Sequence, residues 1–226
     1  MNGTALDATF DNYEALDTIL AFNHNAEVEG NNTLMIGYAW KRTDGVTENA
    51  LCGTSLNAGI FSGSIGFCMN PATSEYSSGH NDSGWEMCEM RTIAMPALEE
   101  VMDPKERVVI AEHTVYTSNG PVGTHNAVSY VTPTRERMYL LAEWEVFEKC
   151  SYANPDESKY QKQIPYFQNG TIRMVMGWNN TSYVDWWERS SKASNKNGFC
   201  YVNSNGVARS GVAYAAWAIR PVYCIA

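Results

Sequence analysis

Six cysteines (Cys52, Cys68, Cys88, Cys150, Cys200, Cys224) and four histidines (His24, His80, His113, His125) are the residues best suited to hold a metal or attack a bond. Zinc takes such ligands in closely spaced pairs, and here there is no C-x-x-C and no His close behind a Cys pair. No Ser or Cys stands in the strained turn that exposes a nucleophile. The histidines therefore read as ordinary, and no catalytic residue, metal or cofactor is expected. The even cysteine count permits disulfides; buried free thiols acting as small hydrophobes are the other reading, so the redox compartment stays open. Asn70, Asn81 and Asp82 offer loop oxygens, the ligand type of calcium. Glu188 and Arg189 are adjacent, and neighbours in a strand point to opposite faces, so they are not placed to clamp one ligand. Each, like Arg220, is expected to have a structural partner elsewhere.

The chain around these residues is globular by composition: 226 residues, 44% hydrophobic and 18% charged. A formal charge of -9 without a basic run argues against a nucleic-acid partner, whose affinity draws on clustered Lys and Arg. No stretch approaches the roughly 18 apolar residues of a membrane span, and the N-terminus lacks the pattern of a secretion signal. No repeat or linker divides the chain, so residues 1–226 read as one domain, with an N-terminal part (1–148) and a C-terminal part (149–226).

The first part reads as strands and loops. Leu34 to Trp40 is a strand, followed by a loop-rich stretch through Asn81. Asp82 or Ser83 is placed to cap a helix from Trp85, with Trp85, Cys88, Met95 and Leu98 on one face and a kink or break at Pro96. Residues 107–117 and 137–147 read as strands, the second from its two-residue alternation. Asn154-Pro155-Asp156-Glu157 opens a second helix with Tyr160, Ile164 and Phe167 buried, ended by Gly170. The remainder is β, with a hairpin turning at Asn205-Gly206 and a last strand through Ile219 to Ile225. Mixed strands with two helices give an α+β fold.

Seven segments in this order, AFNHN (21–25), SGWEMCEMRT (83–92), YLLAEWEVF (139–147), YANPDESKYQKQ (152–163), WWERS (186–190), FCYV (199–202) and IRPVYCI (219–225), resemble an uncharacterised family. That family is common in prophages and virion structural proteins of Gram-positive gut bacteria. The C-terminal part is similar to the C-type-lectin-like fold shared by phage receptor-binding tips, retroelement-diversified variable proteins and formylglycine-generating enzymes. The resemblance implies a mixed or antiparallel sheet that fixes the ends of a solvent-facing segment. Trp186, Trp187, Phe199, Val202, Ile219 and Val222 would be framework. Lys192, Asn195, Tyr201, Asn203, Asn205, Arg209, Tyr214 and Trp217 would be displayed for ligand binding, a mixture like that of adaptable paratopes.

What the resemblance implies for function is a non-enzymatic receptor-binding domain on a phage or prophage particle, contacting a host-surface protein or glycan. The alternative is a head or tail decoration touching only neighbouring virion subunits. Homo-oligomer formation is left open, and the expected location is a virion surface or extracellular face, without membrane insertion. Formylglycine-generating enzymes bind copper through two thiolates on the strand before the Arg-Ser motif. Here residues 179–190 contain no cysteine, and Cys200 stands alone after Gly198-Phe199. The calcium-binding tripeptides of sugar-binding lectins are also absent, and Gly177 to Asn180 only faintly resembles their Trp-Asn-Asp element.

Overall fold

The computed structural model describes residues 13–24, 33–42, 48–49, 67–120, 131–171, 173–177 and 182–226. The apolar run at Leu34 becomes a strand and the spine of the largest sheet. This strand, β2 (Leu34–Arg42), pairs along one edge with β1 (Tyr13–Phe22). Along its other edge lie β13 (Val222–Ile225) and β3 (Glu48–Asn49). β13 also pairs with β4 (Ile110–Ala111) and β7 (Met138–Tyr139). Beyond β3 come β8 (Val175–Met176), paired in parallel, and β9 (Tyr183–Val184), completing eight strands. A second sheet holds β10 (Trp186–Ser191), β11 (Gly198–Val202) and β12 (Ala208–Val212), and a third pairs β5 (His113–Ser118) with β6 (Val131–Glu136). The fold is mixed α+β, with mostly antiparallel strands and few, short helices.

Among the described residues there are four short α-helices, against the two that the sequence pattern suggests. The first expected helix is divided into α1 (Gly84–Met87), a π-helical turn (Met90–Ala94) and α2 (Met95–Val101). Its buried face is as expected, with Trp85, Cys88, Met95 and Leu98 at 2% exposure or less. Capping is not: Ser83 takes a left-handed backbone conformation without a side-chain cap. Pro96 does not end the helix: it falls in the first turn of α2, which runs on directly from the π-helical turn, where the Met95 amide reaches back to the Met90 carbonyl. The short helix α3 (Pro104–Arg107) follows, with Asp103 accepting from the Lys105 amide.

The expected strand over 137–147 shortens to β7, after which the chain turns into α4 (Glu143–Phe147). The alternation misleads because Glu143 and Glu145 do not face solvent; both are buried, and the Glu145 carboxylate accepts from the Ala142 amide at the helix start. The expected long helix after Asn154 is instead two 3-10 turns, Pro155–Lys159 and Pro165–Phe167. Asn154 does cap the first, accepting from the Asp156 amide at 3.0 Å. Pro165 stops continuation, because proline disfavours α conformation in the residue before it, and Ile164 sits at ψ 130. Ile164 and Phe167 are buried, whereas Tyr160 is exposed.

The core is one cluster drawn from the large sheet (Met35, Ile36, Val222, Tyr223), the helical segments (Trp85, Met90, Leu98, Val146) and β10–β11 (Trp186, Trp187, Phe199, Val202). Trp186, Trp187, Phe199, Val202, Ile219 and Val222 are all 1% exposed or less, the framework role expected of them. Each buried indole has its N–H satisfied, Trp187 by the Phe67 carbonyl at 2.8 Å and Trp186 by the Arg173 carbonyl at 3.0 Å. The last strand is shorter than expected, β13 beginning at Val222, with Trp217 and Ala218 in isolated bridges to Phe67 and Trp186.

Candidate ligand-binding surface

The β11–β12 hairpin forms where the sequence places it. Gly206 takes φ +74, while Asn203 closes the turn, its Oδ1 accepting from the Asn205 and Val207 amides. Across the hairpin Tyr201 faces Arg209, and on the other side Tyr201 faces Trp187 of β10. The Trp217 ring stacks between these aromatics, 3.9 Å from Tyr201 and 4.1 Å from Trp187 between centroids. It lies over Gly211 so closely that a Cβ there would fall 2.1 Å from the indole. Only glycine fits beneath that ring.

The eight expected display residues therefore divide by what they touch. Asn205, Arg209 and Tyr214 are exposed. Tyr201 and Trp217 are half-buried and pack on the core. Asn203 shapes the turn, and Asn195 holds its own loop by accepting from the Asn197 amide at 3.3 Å. Lys192 is partly exposed, its backbone joined to the Gly198 carbonyl.

What fixes the 192–198 loop is a residue considered as a calcium ligand. The Asn81 amide nitrogen donates to the carbonyls of Lys192, Asn195 and Gly198, at 3.2, 2.9 and 2.7 Å. Asn70 likewise joins two segments, donating to the His80 carbonyl and accepting from the Glu89 amide. These amides staple loops. Among the described residues no group of three His, Cys, Asp or Glu side chains could hold a metal. Replacing Asn81 with Ala should cost roughly 1–3 kcal/mol, the penalty of orphaning buried carbonyls, and speed amide exchange across residues 192–198. Unchanged exchange in that loop would show that something else holds it.

Behind the surface lies a buried polar network that sequence reasoning did not foresee as one unit. Arg189, fully buried, donates to both Glu145 oxygens (2.6 and 2.9 Å), to the Leu140 carbonyl and to Thr117 Oγ1. Burial alone would raise the Glu145 carboxyl, but the guanidinium outweighs it and holds the group below the usual range. Glu143 accepts from the Ser151, Tyr152 and Ala153 amides, and Glu157 from the Ser118 amide and Ser190 hydroxyl. Burial pushes the Glu157 carboxyl up to about 7 against those hydrogen bonds. Glu188 is fully buried with neither oxygen bonded; burial first, then Glu143, Glu157 and Glu145, push it well above the ordinary range. Arg189 thus has the structural partner expected of it and Glu188, among the described residues, does not, while Arg220 stacks over the Trp186 and Phe167 rings. The Cys200 thiol, 3.7 Å from Glu143, is pushed up by burial, the opposite of thiolate activation. Cys68, Cys88, Cys150, Cys200 and Cys224 are free thiols. Cys52, His125 and most of the loop-rich stretch after Lys41 lie outside the described residues, as do Trp178 to Asn180.

A groove of about 400 Å³ lies away from the hairpin, between the π-helical turn, α2 and the β6–β7 segment. Its cations are engaged: Arg91 by Glu136, Arg135 by Glu112 and Arg137 by Glu99.

A family described as a domain of unknown function (DUF6273) matches residues 59–226, about three-quarters of the chain and everything from α1 to β13. The chain belongs to that family. No curated protein and no solved structure matches it. In this DUF6273 protein β1, β2 and β3 precede the matched segment, yet β2 forms the whole antiparallel register with β13, Val222 to Gly37 through Ile225 to Leu34. The hairpin, its staple and the buried network all lie within the family segment. No helix of the described residues is long and apolar enough to cross a membrane.

Proposed function

We propose that this DUF6273 protein is a non-enzymatic, C-type-lectin-like binding domain of a phage or prophage surface protein, presenting the β11–β12 hairpin to a host-cell ligand. The observation that carries this reading is the construction of the hairpin: fully buried tryptophans and a stapled loop hold a face on which Asn205, Arg209 and Tyr214 reach solvent. Rigid aromatics beside short polar groups and an arginine suit a recognition surface. The carboxyls and thiol that could move protons or attack a substrate, Glu143, Glu157, Glu188 and Cys200, are sealed in the interior. The resemblance described above supplies the phage setting and the lectin-like fold. A second reading, a virion decoration touching only neighbouring subunits, draws on β1, whose Ile19 and Phe22 are 53% and 70% exposed.

Joint replacement of Asn205, Arg209 and Tyr214 by Ser tests the first reading. Exposed positions of this kind change stability by under about 0.5 kcal/mol each, so the melting temperature should barely move while attachment to host bacterial cells is lost. Tyr201 and Trp217 are left intact because their stacking makes them part of the fold. Attachment that survives the triple substitution would place the binding surface elsewhere. A chain that is present in particles yet never attaches to cells would favour the decoration.

A further inference from the structure

The groove beside α2 is built from matched charges. Its helical wall carries Arg91, Met95, Pro96 and Glu99, and its strand wall carries Glu112 and the run from Arg135 to Met138. Three arginines are thus matched by three glutamates, a balanced lining in a chain of formal charge -9. Glu136 is the fixed point: only 6% exposed, it accepts through Oε1 from the indole N–H of buried Trp85 at 3.2 Å and from Arg91 Nε. Arg91 is held on a second side, its Nη1 donating to the Glu86 carbonyl at 2.8 Å. Arg137 is saturated, with Nε on Glu99 and both terminal nitrogens on the Ile110 and Arg107 carbonyls. The remaining pair, Arg135 and Glu112, is solvent-exposed and joined by one bond of 3.0 Å. Among the described residues this leaves Arg91 Nη2, both terminal nitrogens of Arg135, Glu136 Oε2 and Glu112 Oε1 without a bond. Unbonded donors and unbonded acceptors belong to side chains of the same groove.

We propose that this groove is a second binding site, for an uncharged saccharide chain, in which ligand hydroxyls bridge the guanidinium nitrogens of Arg91 and Arg135 and the carboxylate oxygens of Glu136 and Glu112. The matched lining selects the chemistry. A charged ligand would meet as much repulsion as attraction along it, and would compete with ion partners already in place. A hydroxyl both donates and accepts, so it takes a guanidinium N–H and a carboxylate oxygen together without parting them. Hydrogen bonds to ionised groups are also about twice as strong as neutral ones. Met95, Pro96 and Met138 add apolar surface on which the C–H faces of a sugar ring can rest. The volume of about 400 Å³ is that of a ligand site, commonly about 300–1,000 Å³, and a groove, unlike an enclosed cavity, lets a chain run through. The π-helical turn that carries Arg91 is an interruption of the kind that recurs at functional sites. The inference does not rest on the hairpin, none of whose residues line the groove.

The test titrates the intact, nitrogen-15-labelled chain with cellohexaose, maltohexaose, chitohexaose and mannohexaose, with the galacturonate hexamer and hexaglutamate as charged comparisons. A chelator is present throughout, since no cation belongs to the proposed site. At least one neutral hexaose should bind and shift the amide signals of residues 91–99 and 135–138. Its affinity should change less than about twofold between roughly 0.05 and 0.5 M salt, because an uncharged ligand gives screening little to act on. Arg135→Ala and Glu112→Ala should each weaken that binding about threefold or more with an unchanged melting temperature, an exposed pair contributing little to folding. Glu136→Gln keeps an acceptor for the Trp85 indole and should weaken binding about tenfold, the size of one lost charge-assisted bond; if it does not fold, the two surface variants decide. The Asn205, Arg209 and Tyr214 triple variant should bind the hexaose like the parent. No groove shift with any of the four neutral hexaoses, tighter binding of a charged hexamer, a tenfold loss in salt, or surface variants that bind like the parent would each overturn the proposal. Saccharide binding that the triple variant loses, with the groove amides unmoved, would overturn it in favour of the hairpin and would support the display reading.

Discussion

Moving the protein from pH 5 to pH 8 is expected to lower its stability by several kcal/mol, and Glu188→Gln is expected to remove much of that loss. Glu188 is surrounded by other carboxyls, Glu143 and Glu145 on α4 and Glu157 on the first 3-10 turn, with the Cys150 and Cys200 thiols, themselves raised by burial, nearby. The two cations in reach are engaged, Arg189 by Glu145 and Arg173 by the Val146 and Phe167 carbonyls. Burial raises the Glu143, Glu157 and Glu188 carboxyls in the fold, whereas unfolded they titrate near the ordinary value of 4.5. The folded chain then binds more protons than the unfolded one above that value. Stability is full below about pH 4.5 for these groups and declines as pH rises through their folded values. For Glu157 the window runs from about 4.5 to about 7, worth about 3 kcal/mol at roughly 1.4 kcal/mol per pH unit. Glu188 extends the decline to higher pH. Glu145 acts oppositely, since its lowered carboxyl contributes above its unfolded value and loses that contribution on acidification. Thermal melts across pH 4–9 check this. A parent as stable at pH 8 as at pH 5, or a Glu188→Gln variant weakened equally at both, would mean that these carboxyls are ionised and solvated.

Local pattern was enough for some of this architecture. The β2 strand, the Asn205-Gly206 hairpin, the Asn154 cap and the buried framework tryptophans are each written in a few adjacent residues, where turn chemistry or an apolar run acts without help from distant chain. The failures share a different cause. Glu143 and Glu145 look like the solvent face of a strand because their partners, the 151–153 amides and Arg189, are brought up only by folding. Asn81 sits in a polar loop like any other and acquires its role from three carbonyls more than 100 positions away. Display is also not a property of residue type: Trp217 and Tyr201 read as surface aromatics, but stacking on Trp187 makes them half framework. The overlooked Pro165 was legible, and the backbone restriction it imposes on Ile164 accounts for the interrupted second helix.

Removing Arg189 should be among the most damaging single changes at the described residues. Its guanidinium makes four bonds, two to Glu145 and one each to Leu140 and Thr117, and the Tyr139 ring lies 5.6 Å from it. Arg189→Met would leave the Glu145 carboxylate in the interior without a countercharge and the Leu140 carbonyl without this donor, a loss of about 3–5 kcal/mol. Lysine keeps the charge but has no planar fork to satisfy both Glu145 oxygens, so Arg189→Lys should also lose roughly 2 kcal/mol or more. The double variant Arg189→Met, Glu145→Leu separates an ion pair that stabilises from one that merely must not be broken. Taking two charges out of water costs several kcal/mol, so apolar replacement of both partners should recover much of the single-variant loss. Urea unfolding of the parent, both single variants and the double variant measures the coupling. If Arg189→Met unfolds within about 1 kcal/mol of the parent, the pair is hydrated and not buried as described. If the double variant is as unstable as the single ones, the bonds that it still lacks, from Arg189 to Leu140 and Thr117 and from the Ala142 amide to Glu145, and not the ion pair, are what the fold requires.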